Sequence, residues 1–121
     1  ITARFADEWN AWGGPDLAGD KRAEFMAACE SVAVDPTSKW TSVPSLVFVT
    51  DDDTKAEQIL AGDFGTRSIA GSPDRIVDDM GRYAEHGFDE FIVPDFNLGK
   101  TPEQRRESLD RINDSVVAQL S

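Results

Sequence analysis

Apolar and polar positions along the chain switch between two periods. The strongest strand signal is residues 41–50, where Leu46-Val47-Phe48-Val49 is an unbroken apolar run of the kind found when both faces of a parallel strand are covered. Pro44 lies early in that run, which suits a strand start or an edge better than a paired centre. Residues 91–93, Phe91-Ile92-Val93, read as another buried strand stopped by Pro94-Asp95, and Ser68-Ile69-Ala70 as a short extended piece. The first run, 1–10, holds Phe5, Ala6 and Trp9 and reads as a short strand ending in polar Asp7, Glu8 and Asn10.

Between these runs the period lengthens to that of helices. Gly13-Gly14-Pro15 breaks the first run, and a helix is predicted over about 15–32, with Leu17, Phe25, Cys29 and Val32 on one stripe. Asp35-Pro36 ends that unit. Thr50 is the expected cap of a helix from about Asp51, with Asp51, Asp52 and Asp53 in its first turn and Ala56, Ile59 and Leu60 inward. Ser72-Pro73 is an N-cap followed by a residue pre-shaped for the first helical turn, Ile76, Val77, Met80, Tyr83 and Ala84 form the buried stripe, and Gly87 closes the helix. Thr101 with Gln104 is a capping box, opening a last helix with Leu109, Ile112, Val116, Val117 and Leu120 inward.

The predicted order is β-α-β-α-(short β)-α-β-α, which means crossover connections and a parallel sheet. Three substantial strands leave sheet edges and a face that need covering. The Val47, Val49 and Ile92 surfaces are expected to need it most.

Composition narrows the function classes. The chain has 121 residues, enough for one domain or part of one. Its 23 acids against 12 bases give a net charge of −11, which argues against a nucleic-acid or anionic-membrane partner. The lone Cys29 excludes an internal disulfide and a cysteine-rich zinc site, fits a helix stripe as inert core, and suits a reducing, cytoplasmic setting. No apolar run is long enough to span a bilayer, and no signal peptide is visible. His86, the single histidine, lies in the last turn of a helix and lacks a Cys or His partner, so no metal site is assigned. The Asp51-Asp52-Asp53 run reads as helix-start solvation. Gly62-Asp63-Phe64-Gly65 carries a kinase tripeptide with no other kinase motif and reads as a loop.

Two stretches resemble the luciferase-like oxidoreductases. Ala3-Arg4-Phe5-Ala6-Asp7-Glu8-Trp9-Asn10 is similar to that family's A-R-x-A-D-x-W-N segment. Ile69-Ala70-Gly71-Ser72-Pro73, with Ile76, Tyr83, Gly87, Asp89 and Ile92-Val93-Pro94 after it, is similar to its G-[ST]-P helix and final strand. The likeness runs from about Ala3 to Leu120, and the deazaflavin-dependent members are the subgroup it points to. It implies a (β/α)8 barrel, a fold of about 250 residues. This chain would supply the sixth, seventh and eighth strands as the C-terminal part of an incomplete barrel, as one partial domain over residues 1–121. Ala33-Val34 departs from the Gly-Arg that the family often places before Asp-Pro, which puts a helix C-cap in doubt.

The resemblance implies a flavin (FMN) or deazaflavin (coenzyme F420) held by the complete barrel, and oxidoreductase or monooxygenase chemistry on it. The principal catalytic side chains belong to absent upstream segments, so no catalytic residue is assigned here. The cofactor-binding candidates are Trp9, Asn10, Gly71, Ser72 and Asp95, all at or just after expected strand C-terminal ends, the active-site face of a barrel. Each has a plainer reading. Trp9 and Asn10 can be packing and a turn into Gly13-Gly14, Ser72 a simple cap after Gly71, and Asp95 part of an ordinary loop with Phe96 and Asn97. The chain alone is expected to bind cofactor weakly or not at all, to lack turnover, and to need a partner, either the missing N-terminal barrel part or another copy of itself. The alternative is a free-standing partial barrel that self-associates as a structural or binding module without catalysis.

Overall fold

The structure is a computed structural model describing residues 2–120. In chain order it runs α1 (Thr2–Phe5), β1 (Glu8–Asn10), α2 (Pro15–Ser31), β2 (Trp40–Pro44), β3 (Leu46–Val49), α3 (Asp53–Leu60), β4 (Ser68–Gly71), α4 (Pro73–Glu85), β5 (Glu90–Ile92) and α5 (Pro102–Ile112). A π turn (Asn113–Val117) and α6 (Ala118–Leu120) follow. Every strand pairing is parallel: β1 with β2, β2 with β5, and β3 with β4. The expected alternation is present, and the 41–50 and 91–93 segments lie in one parallel sheet, as a crossover-connected chain requires.

Several elements depart from expectation. The first run is not a continuous strand, because Ala3 of α1 packs with Phe25 and Cys29 of α2 and only Glu8–Asn10 pairs with the sheet. The 41–50 strand is two segments split at Ser45. Asp52, not Thr50, caps α3, its carboxylate accepting the Lys55 N–H at 3.2 Å, while the Thr50 hydroxyl accepts the Asp52 N–H. The last helix passes through the π turn, which buries Ile112 and Val116 and leaves Leu109, Val117 and Leu120 exposed.

Pro44 sits in the middle strand, against expectation, and hydrogen-bond direction explains why. Even-numbered residues of this strand turn their N–H groups to one side, Trp40 to the Asp7 carbonyl and Thr50 to that of Gly71. Ser45 donates to the other side, to the Ile92 carbonyl. Position 44 therefore faces the side where β1 has ended, its last bond running from Ala11 N–H to the Ser42 carbonyl, and where β4 has not yet begun. A residue without an N–H removes no ladder bond there.

The pleat sorts residues between two faces. Trp9, Thr41, Val43 and Phe91 turn toward the helices. Trp9 stacks on Phe25 of α2 with ring centroids 4.8 Å apart, and Tyr83 of α4 lies 5.2 Å from Phe91. The main core joins Ala18, Val43, Val47, Ile69, Ile76, Met80, Tyr83, Ile112 and Val116. Val47 is thus covered within the chain, contrary to expectation. The opposite face carries Glu8, Asn10, Trp40, Glu90 and Ile92, all exposed, with Ser42 and Pro44 buried between them. Ile92 is 37% exposed and Trp40 46%, so β5 is not the fully buried strand its composition suggests.

The strands' N-terminal end is tied by a polar network. The Asp89 carboxylate accepts the Thr41 N–H at 2.8 Å, and the Arg22 guanidinium donates to the Thr41 hydroxyl and to the His86 carbonyl. In barrel folds this end serves stability.

Candidate functional site

The five residues singled out from sequence lie at three places around the strand C-terminal ends. At the end of β1, the Asn10 amide donates to the Ser42 hydroxyl at 3.1 Å on the open face. Trp9, its neighbour, points the other way, between Phe25 and Phe88. A cavity of about 490 Å³ opens here between the strand end and α2, bounded by Trp9, Asn10, Trp12, Lys21 and Phe25. The Lys21 ammonium donates to the Trp12 carbonyl at 3.0 Å, which holds the loop against the helix.

At the end of β4, Gly71 has φ +149°, and a Cβ there would come within 2.5 Å of the Arg75 side chain. The Ser72 hydroxyl accepts the Arg75 N–H at 3.3 Å, as expected of a cap, and the Arg75 guanidinium pairs with Glu57 at 3.3 Å. At this helix start Pro73 supplies no N–H and that of Arg75 is taken by the cap, which leaves fewer donors for an anion.

At the end of β5, Asp95 is exposed and its carbonyl accepts the Leu98 N–H. Phe96 is exposed, while Asn97 turns back under the sheet and donates to the Val47 carbonyl at 3.3 Å. The cavity beside Asn10 is lined by none of Gly71, Ser72 and Asp95.

Sequence reasoning missed Lys21 and Ser42. Lys21 looks like an ordinary solvent-facing helix residue. Ser42 is marked only by register, as the residue paired with Asn10. Tyr83 is a stabilising group and not a base. Burial pushes its phenol up to about 12, and its hydroxyl donates to the Gly13 carbonyl at 2.7 Å.

These residues fit a flavin or deazaflavin only as part of its surroundings. Asn10, Lys21 and Trp12 offer a donor amide, a cation and an aromatic wall beside one cavity. At the Ser72 helix start the Arg75 N–H is already taken by the cap.

No family model matches the sequence, and no curated protein does. Solved structures do match. A coenzyme F420-dependent tetrahydromethanopterin reductase from Methanopyrus kandleri superposes with a TM-score of 0.69 at 14% identity, over 99% of this chain and 47% of the other. A long-chain alkane monooxygenase gives 0.66 at 13% identity, over 98% and 37%. The fold is that of the luciferase-like oxidoreductases. A third luciferase-like structure, the EDTA monooxygenase from Chelativorans sp. BNC1, gives 0.64 at 14% identity, over 98% and 42%. The chain thus spans less than half the length of these luciferase-like structures. No helix of the described residues is long and apolar enough to cross a membrane.

Proposed function

We propose that the chain is the C-terminal part of a luciferase-like (β/α)8 barrel that uses flavin or deazaflavin. In this reading β1, the β2–β3 strand and β5 are its sixth, seventh and eighth strands. The observation that carries the reading is the open sheet face. Glu8, Asn10, Trp40, Glu90 and Ile92 project from three parallel strands into solvent, where a closed barrel would have its interior. Likeness across nearly all of this chain and less than half of each solved structure supports the same reading.

A flavin or deazaflavin bound at the barrel mouth would supply hydride or oxygen chemistry. This chain's residues would bind and orient. Asn10, held by Ser42, presents a fixed amide, Lys21 adds a cation beside Trp12, and Gly71, Ser72 and Asp95 shape neighbouring parts of the rim. Proton transfer and most of the cofactor's phosphate contacts would fall to the remainder of the barrel.

The test is a fluorescence titration with FMN and with coenzyme F420, alongside light scattering on the same sample. The chain alone is expected to associate and to bind either cofactor weakly. A native preparation should contain the rest of the barrel, in one longer polypeptide or as a companion chain of about 170–200 residues. Micromolar binding of either cofactor by a monodisperse monomer would overturn the reading. Self-association without any barrel remainder would favour a structural module.

A further inference from the structure

We infer that the open sheet face receives a cation at the strands' N-terminal end, an arginine or lysine carried by the remaining strands of the barrel. The inference rests on the barrel reading given above and names the chemistry of the partner that covers this face. Three side chains form a row there. Glu8, Trp40 and Glu90 are the first residues of β1, β2 and β5, and all three are exposed on the same face. Glu8 stands opposite Trp40 in the parallel register, and the Trp40 indole N–H donates to the Glu90 carboxylate at 3.1 Å. An indole ring thus lies between two carboxylates, at the end of the sheet away from Asn10 and Ser72.

Nothing in the chain neutralises this row. Neither glutamate takes part in an ion pair among the described residues. The other positions that face the same way, Asn10, Ser42, Pro44 and Ile92, carry no charge. Lys39, next to Trp40 in the chain, donates instead to the Ala6 carbonyl.

Closing a barrel over this face takes both carboxylates out of water, because a barrel interior is a packed core and not a pore. A buried carboxylate with no partner is strongly unfavourable, and a facing guanidinium or ammonium removes most of that cost. The half-exposed Trp40 ring adds an attraction of the same sign, since an aromatic face draws a cation. A second copy of the chain does not answer the demand. Laid on this face, it brings two more carboxylates and no cation, so the occupant is the barrel remainder and not a dimer mate.

The test is the sign of a nearly isosteric change in the assembled protein, whether one longer polypeptide or a complex with a companion chain. The double variant Glu8→Gln with Glu90→Gln keeps both side-chain sizes and leaves an acceptor for the Trp40 indole. Opposite a cation, the loss of charge should lower the urea midpoint of the assembled protein, and in a two-chain complex it should weaken association at least tenfold. Without a cation, the same change removes two buried charges and should raise both. Glu90→Lys should prevent assembly, and changing the facing arginine or lysine of the remainder to glutamate should restore it. A raised or unchanged midpoint for the double variant, or a remainder with no arginine or lysine at its inward strand positions, would overturn the inference and leave the barrel reading in place. Both glutamates are exposed in the chain by itself, so its own midpoint should not move. An equal loss there would assign them a local role and also overturn the inference. A monodisperse monomer with no remainder would overturn both.

Discussion

Helices α2 and α4 pack against each other and solve the same problems at their ends with different residues. Both finish in a full Schellman motif. In α4 the Gly87 N–H bonds the Ala84 carbonyl and the Phe88 N–H that of Tyr83, with the Phe88 and Tyr83 rings in edge contact. In α2 the Ala33 N–H bonds the Glu30 carbonyl and the Val34 N–H that of Cys29, with Val34 packed on the cluster that holds Cys29. The turning residue has φ +97° in α4, where it is glycine, and +57° in α2, where it is alanine. At the other end Ser72 caps α4 with its hydroxyl, while Gly14 before α2 offers no side chain. The same geometry is thus reached at two levels of local cost, and α2 reaches it only because packing of Phe25, Cys29 and Trp9 supports it.

The largest test of this asymmetry uses Tyr83, the single tyrosine, which ties α4 to Gly13 just ahead of α2. Burial raises its pKa from 10.0 to about 12. The unfolded chain therefore releases the proton first as pH rises. The stabilisation is complete below pH 10 and is lost as pH climbs through 12, a change of about 2–3 kcal/mol. The phenolate absorbance of the folded protein should titrate near 12, and a normal titration near 10 would mean that the α4 anchor is not formed.

Gly87→Ala should cost about 2 kcal/mol in urea unfolding, since it puts a side chain in the left-handed region and within 2.8 Å of the Arg22 guanidinium. Ser72→Ala should cost about 1 kcal/mol by the same measurement. Ala33→Gly should act in the opposite direction and stabilise α2 by about 0.5–1 kcal/mol, raising the urea midpoint, because it relieves the left-handed alanine. Gly14→Ser has the smallest expected effect, a gain of a few tenths of a kcal/mol. The backbone there is already extended, and nothing lies within 4 Å of the added Cβ. Destabilisation by Ala33→Gly would show that the two helix ends are not equivalent motifs.

Short-range chemistry was the most legible part of the sequence. The caps at Ser72 and Thr101, the closing Gly87 and the core stripe Ile76, Met80 and Tyr83 all stand where spacing put them, because each depends on neighbours within a turn or two. Gln104 shows the limit of such rules. Its N–H bonds the Thr101 hydroxyl as a capping box requires, but its own side chain accepts the Lys100 N–H instead of that of Thr101. What depended on distant residues was less legible. Asp52 and Thr50 are both good caps, and the loop leaving β3 chooses between them. Phe91-Ile92-Val93 has the composition of a buried strand, but its burial is a property of whatever covers the open face. Of the candidate site, Asn10 was visible through its motif, whereas Lys21 and Ser42 joined it only through register and helix docking.

Pro44 also determines which neighbours this strand can accept. On one side the strand is handed from β1 to β4, and the proline stands at the handover. Sliding β1 forward by two residues would set one of its carbonyls against a ring carbon in place of a proton, so the longer pairing is no better bonded than the native one. The same gap stops an intruding strand from zipping along that side without interruption. A single absent proton therefore works as punctuation, keeping β1 short so that its chain leaves the sheet at Ala11 and turns toward Trp12 and Lys21.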